Sequence, residues 1–300
     1  MANDRADFEP EVRNSAWWAT DSRNAVNGKA IETIMIKQGK LEAPDLSDVE
    51  AVQMGHVMQP IIGKLAQDKL KMELKDADYS LTHPDHNWLR SHFDFISSDG
   101  KTLVEAKNYN AGSRNKFDVD SRRIPMADYV QLLHEATVHR VDTVILAVLF
   151  GGQEFQTFEY TFTDDQKEDF VKQMAVYWSH VVAETLPAPE TVEQTKLLYP
   201  KDNGQSLIAT QPVETAILQL KEIKRMIKAY EEQSDVLETA IRNAMQDYSD
   251  IVSISGETLV TWRASKPSKR FSSDLFKQSM PEVYEQFVIE QPGSRRFIVK

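Results

Sequence analysis

Asp94, Glu105 and Lys107 are the residues whose types and spacing point most directly to chemistry. Asp94 sits between Phe93 and Phe95, and Ser97-Ser98-Asp99-Gly100 is a cluster of turn formers. Leu103, Val104 and Ala106 then give an apolar context to a second arm. The stretch from Phe93 to Lys107 reads as a β-hairpin with an Asp on one arm and Glu-x-Lys on the other. Side chains alternate along a strand, so Glu105 and Lys107 share a face. Two carboxylates supply the hard oxygens that Mg²⁺ prefers, and an ammonium beside them can face an attacking water or a phosphate. The competing reading is a structural Glu105–Lys107 ion pair, since charges inside apolar strands are costly unless paired or metal-bound.

Such a hairpin needs elements around it. Residues 8–40 read as mostly helical, with Trp17-Trp18 near a turn or cap. A helix is expected from near Ser47 to about Leu74, on the spacing of Val49, Val52, Val57, Ile61, Ile62, Leu65 and Leu70. Residues 79–89 read as irregular or as a short strand broken by Pro84, and 108–123 as a polar, mobile loop. Pro125 opens a helix to about His139. The unbroken apolar run Thr143–Phe150 is a central buried strand, and 155–162 alternates as another. Thr163 caps a helix from Asp164 to about Glu184. The order of these elements predicts an α/β fold, a mixed sheet flanked by helices. Residues 191–212 read as a polar linker. From Val213 to about Tyr248, Leu220, Ile223, Ile227, Tyr230, Leu237 and Ile241 repeat with heptad spacing, broken by Ser234. That pattern predicts a helical hairpin or short coiled coil. A hairpin around Gly256, a helical region at 273–287 and a last strand at 296–300 complete a C-terminal module.

Composition narrows the class. The chain of 300 residues has no Cys and a formal charge of −11. Disulfides, Cys-ligated zinc and Cys-ligated iron–sulfur clusters are excluded. No apolar run reaches the ~18 residues of a membrane span, and the charged start lacks a signal-peptide core, so a cytoplasmic protein is expected. The acidic balance argues against coating nucleic acid by bulk charge, but not against positive charge confined to one groove.

The ordered motifs resemble a known family. Asp94 followed by Glu105-Ala106-Lys107 resembles the PD-(D/E)XK nuclease core. Met54-Gly55-His56-Val57-Met58-Gln59-Pro60 is similar to the Gly-x-x-x-Glu-Pro helix of the YqaJ viral recombinase group, the phage lambda exonuclease type. His83 to Leu89, Tyr129-Val130-Gln131, Phe150-Gly151-Gly152, Trp178 and Pro187-Ala188-Pro189 resemble further landmarks in the same order. The match runs from about Trp17 to Pro189, and Val260-Thr261-Trp262 with Ser294-Arg295-Arg296-Phe297 resembles the tail of longer members.

The resemblance implies a Mg²⁺-dependent exonuclease (Mn²⁺ substituting) that degrades one strand of linear duplex DNA from a 5′ end. Asp94, Glu105 and the carbonyl of Ala106 would bind the metal, and Lys107 would orient or activate the water. Gln131 would contact DNA near the terminal phosphate, and Arg23 is a candidate 5′-phosphate clamp. Arg114 and Lys116, with Arg122 and Arg123, form a basic cluster that could track a DNA backbone. The resemblance also implies a ring-shaped homo-oligomer and a single-strand annealing partner. Two positions depart from the pattern. Gln59 stands where the family has Glu, which removes a charge from the site. His92 stands where a small residue is common and is a candidate phosphate contact. Asp85 is a further carboxylate, read more simply as a turn residue. The expected organisation is a nuclease domain at 1–190, the linker at 191–212, and at 213–300 a helical arm with a small, locally basic α+β module. A related endonuclease, or a DNA-end-binding protein with a site weakened at Gln59, are the alternative readings.

Overall fold

The computed structural model describes residues 9–291 and 293–300. It divides into two units, the first ending at Tyr199 and the second spanning Pro200–Lys300. Residues 1–8, read above as a charged start, lie outside the described residues.

The first unit is built on a six-stranded mixed sheet. Strands β3 (Leu89–Ser97) and β4 (Thr102–Tyr109) are the two arms of the expected hairpin. Their turn is closed by Gly100, at φ +74°, and by Asp99, whose Oδ1 accepts from Ser97 Oγ at 2.6 Å and from the Lys101 N–H at 3.1 Å. Strand β4 runs parallel to β5 (Thr143–Phe150), and β6 (Glu154–Thr161) closes that side antiparallel. On its other side β3 pairs with β2 (Leu74–Thr82), a full strand where a short or irregular stretch is expected from sequence. Trp17–Trp18 forms β1, which pairs in parallel with the start of β3. Thus the two tryptophans are sheet members rather than a turn.

Strand β5 is apolar throughout because both of its faces are covered. Val144, Leu146, Val148 and Phe150 pack in the larger core, while Ile145, Ala147 and Leu149 pack in a second one with Ile62 and Ala66. These last two belong to α4 (Glu50–Leu70), which is shorter at both ends than the sequence reading. The larger core is covered by α5 (Met126–His139) and α6 (Asp164–Val182). Helix α6 starts at the predicted Thr163 cap, whose hydroxyl accepts from the Gln166 N–H. Before β1 lies α1 (Pro10–Asn14); after it, α2 (Ala19–Asn24) and α3 (Ala30–Lys37) are joined by a π-helical turn broken at Gly28, where φ is +79°. Residues 108–123, read as a mobile loop, contain a 3₁₀ helix at Ala111–Lys116, capped by Asn110 Oδ1 on the Ser113 N–H at 3.0 Å. Part of the expected linker is helix α7 (Val192–Leu198), fastened to the first unit by Gln194 Nε2 donating to the Gly28 carbonyl at 2.8 Å.

In the second unit α8 (Gln211–Met245) is one continuous helix of 35 residues, not a helical hairpin. Nothing in its interior is a Pro or Gly, and so nothing breaks it. Strands β7 (Asp250–Val252) and β8 (Thr258–Thr261) pair around Gly256, as expected. The helical region at 273–287 is two short helices, α9 (Ser273–Ser279) and α10 (Pro281–Gln286). The expected last strand at 296–300 does not form.

Candidate active site

The hairpin opens where the expected site residues lie. Strands β3 and β4 pair at Ile96–Leu103 and Phe95–Val104. One step further a side chain takes over the ladder: Asp94 Oδ2 accepts the Ala106 N–H at 2.9 Å. The N–H and C=O of a strand residue leave toward the same neighbour. The Ala106 carbonyl therefore lies on the edge that faces Asp94.

Both acidic side chains are held by amides. On Asp94 the donor is Gln59 Nε2 of α4, 2.9 Å from Oδ1. On Glu105 it is Gln131 Nε2 of α5, 2.6 Å from Oε1, and Lys107 Nζ reaches the same oxygen at 2.6 Å. Glu105 is buried, whereas the Lys107 side chain keeps one-fifth of its surface open to solvent (20%). The structure thus brings Asp94, Glu105, Ala106, Lys107, Gln59 and Gln131 together.

Electrostatics follow from that convergence. Burial, and then the charge of Glu105, push the Asp94 carboxyl well above its usual range. Burial by itself would lower Lys107, but Glu105 and Asp94 outweigh it and hold the ammonium charged. Two carboxylates converging in a poorly solvated notch, with a backbone carbonyl beside them, are a donor set suited to a hard divalent cation. Among the described residues no group of three or more His, Asp or Glu side chains is placed to hold a metal. The set that fits has two carboxylates, consistent with an amide at position 59.

Arg23, on α2, is carried to the rim of this site. Its Nη2 lies 2.8 Å from Tyr109 Oη and 3.1 Å from Asp128 Oδ1, and Tyr109 Oη donates to the same Asp128 oxygen at 2.8 Å. Burial would lower the guanidinium, yet Tyr109, Asp128 and Glu105 raise it. Burial and the adjacent Asp128 push the Tyr109 hydroxyl up to about 12.

The other expected residues are placed differently. His92 is half-buried on β3, its Nδ1 3.3 Å from Ser80 Oγ. Arg114 is half-exposed and paired within its own chain, with Nε 2.6 Å from Glu154 Oε1 and Nη1 2.9 Å from the Phe117 carbonyl. Lys116 is exposed at the end of the 3₁₀ helix. Asp85 lies in the bend at Pro84 and pairs with Arg140 at the surface. Gln131 is buried and its amide nitrogen is spent on Glu105 and Glu135, so it meets the site from behind.

Three residues of the site escaped the sequence reading. Tyr109 continues the alternation of Glu105 and Lys107 on β4, a signal that the strand period could have supplied. Glu135 lies one helical turn beyond Gln131, and the i,i+4 spacing was the available cue. Asp128 gave no local sign, because its partners come from α2 and β4.

A mixed sheet with helices on both faces, and a parting strand pair carrying Asp and Glu-x-Lys, defines a PD-(D/E)XK-type core. Residues 11–142 match the model of the YqaJ-like viral recombinase domain. Among solved structures the chain is similar to an alkaline exonuclease from Laribacter hongkongensis, at 9% identity over 63% of this chain and 96% of that one, with a TM-score of 0.47. A putative exonuclease from Eubacterium rectale matches at 10% identity over 70% and 96%, with a TM-score of 0.46. A phage-related exonuclease from Haemophilus somnus 129PT matches at 14% over 54% and 82%, with a TM-score of 0.41. No curated protein matches the chain. Among the described residues no helix is long and apolar enough to cross a membrane.

Proposed function

We propose that this protein is a divalent-metal-dependent exonuclease acting on the ends of duplex DNA. The observation that carries the reading is the convergence of Asp94, Glu105 and Lys107 where β3 and β4 part, within a segment that matches the YqaJ-like domain. Asp94, Glu105 and the Ala106 carbonyl would hold Mg²⁺ or Mn²⁺. The ion would supply positive charge against the scissile phosphate and lower the pKa of the attacking water.

The chain's own groups account for the rest. Gln59 and Gln131 fix the two carboxylates, which removes reorganisation from the reaction coordinate. Lys107, kept cationic and partly open, faces the charge that grows on the phosphate oxygens and orients the water. Arg23 adds a planar donor suited to a terminal phosphate, the feature that favours a 5′ end. Attack on phosphorus breaks the P–O3′ bond, leaving a 5′-phosphate on one fragment and a 3′-hydroxyl on the other. The resulting 3′ single strand is a substrate for an annealing protein, and a ring of copies around the duplex would keep the enzyme on its track. On this reading the protein would act in phage-type recombination, in the cytoplasm of a host cell.

The test is digestion of linear and of covalently closed circular duplex, with Mg²⁺, with Mn²⁺ and with EDTA. An exonuclease releases mononucleotides from the linear DNA alone and stops in EDTA. Cutting of the circle would establish an endonuclease on the same core. End binding with no nucleotide release in either metal would establish a non-catalytic DNA-end protein and refute the proposal.

A further inference from the structure

We propose that Glu135 is a positioning residue for the site: it sets which way the Gln131 amide points, and so holds Glu105 in its metal-binding posture. The inference rests on the nuclease reading above. Gln131 and Glu135 lie on one face of α5, one turn apart. The nitrogen of Gln131 divides its two hydrogens, one to Glu105 Oε1 at 2.6 Å and one to Glu135 Oε1 at 3.0 Å.

A carboxamide has a donor end and an acceptor end of nearly equal size. Turned over, Gln131 would aim its carbonyl oxygen at the Glu105 carboxylate and repel it. Glu135 opposes that orientation, because its Oε1 accepts from the Gln131 nitrogen and the same turn would replace that nitrogen with an oxygen. The donor end therefore stays on Glu105.

The placement is costly, which is why it asks for a reason. Glu135 is 1% exposed, with Leu132, Leu133 and Ala136 beside it on the same buried helix. A Leu there would serve the core better, since a buried carboxyl costs free energy unless its hydrogen bonds are made. The counterpart on the opposite face of the sheet is Gln59, whose amide donates to Asp94. Each metal-binding carboxylate thus takes an amide donor from a different helix, and only the donor on α5 is oriented by a second acid.

The experiment measures Mn²⁺ affinity of the full chain by calorimetry without DNA, and the Mg²⁺ dependence of linear-duplex digestion. Glu135→Leu should weaken Mn²⁺ binding about 10- to 100-fold, the usual effect of losing a group that orients a metal ligand. It should also raise the half-saturating Mg²⁺ concentration more than it lowers the maximal rate. Glu135→Gln, which keeps an accepting oxygen, should restore most of the affinity. Gln131→Met removes the intermediary while leaving Glu135 in place, and should reproduce the Glu135→Leu loss; it serves as the test if Glu135→Leu does not fold. Wild-type Mn²⁺ affinity in Glu135→Leu or in Gln131→Met overturns the proposal. So does a Glu135→Gln variant as weak as Glu135→Leu, which would make charge the agent instead of orientation. A wild-type chain that neither binds Mn²⁺ nor digests DNA overturns the nuclease reading, a result distinct from these.

Discussion

Gly63 lets α4 approach β3 closely, and substituting it tests whether that approach sets the site. A methyl group added there would stand 2.6 and 2.9 Å from two ring carbons of Phe95, where carbon contacts normally settle at about 3.5–4.0 Å. Phe95 is buried at 5% exposure, so its ring cannot swing into solvent, and helix and strand must separate. Gln59 lies one turn before Gly63 on the same helix, and its bond to Asp94 (the residue before Phe95) is 2.9 Å long. Separation therefore stretches that bond and leaves the Asp94 carboxylate held by the Ala106 N–H without its amide donor. Gly55 in the same helix is the control, because a Cβ there meets nothing within 4 Å. Gly→Ala in a helix gains up to about 1 kcal/mol at either position. Only Gly63→Ala suffers overpacking, of about 1–3 kcal/mol. The two variants should differ by that overpacking, at about 2–4 °C in unfolding midpoint per kcal/mol for a unit of this size. Calorimetry and Mg²⁺-dependent digestion are the assays: Gly55→Ala should be at least as stable as wild type and fully active, Gly63→Ala less stable and slower. Equal stability and equal activity in the two variants would refute the argument that this contact positions Asp94.

Lys107→Ala and Glu105→Ala should each cut metal-dependent digestion by at least about 10²–10³-fold, the scale for removing one preorganised charge-stabilising group; circular dichroism should show the fold intact, and near-normal digestion would remove both from the site. Arg23→Ala strips the cation from Asp128, whose side chain is 1% exposed. Because Arg23 keeps 29% of its own surface, the cost should be ~2–3 kcal/mol, below that of a fully buried pair, as read by urea unfolding. Asp128→Asn should recover part of that loss in the Arg23→Ala background, and no recovery would deny the pair its role. His134 is fully buried, its Nδ1 2.8 Å from Ser22 Oγ and Nε2 2.9 Å from the Arg90 carbonyl, and burial holds its pKa down at about 3. The unfolded chain takes up this proton near pH ~6.5 and the folded one does not, so stability falls as pH drops below ~6.5, by up to about 1.4 kcal/mol per pH unit. Unfolding at a series of pH values should show one proton less of dependence in His134→Gln; an unchanged slope would place the proton elsewhere.

The amino-acid sequence by itself determined the hairpin, its turn and the Asp and Glu-x-Lys pattern that the hairpin carries. Those are local matters: Gly100 and Asp99 close the turn, and a period of two puts Glu105 and Lys107 on one side of β4. The central strand Thr143–Phe150 and the Thr163 cap were legible for the same reason. Strand β2 was not, because an edge strand with polar residues carries little alternation and forms by pairing along β3. Nor was the unbroken α8, since a heptad pattern specifies an apolar seam and not whether the chain folds back on it. Tertiary structure alone decided which long-range partners met the residues of the candidate site. Gln59 and Asp94 are far apart in sequence, as are Arg23 and Asp128, and only the packing of α4 against the sheet and of α2 against α5 closes those distances. It also decided that Gln131 faces Glu105 from behind, with its amide fixed by Glu135. Sequence spacing sets which side chains share a face of one element; the meeting of side chains from different elements depends on how their buried faces pack, and no local pattern records that.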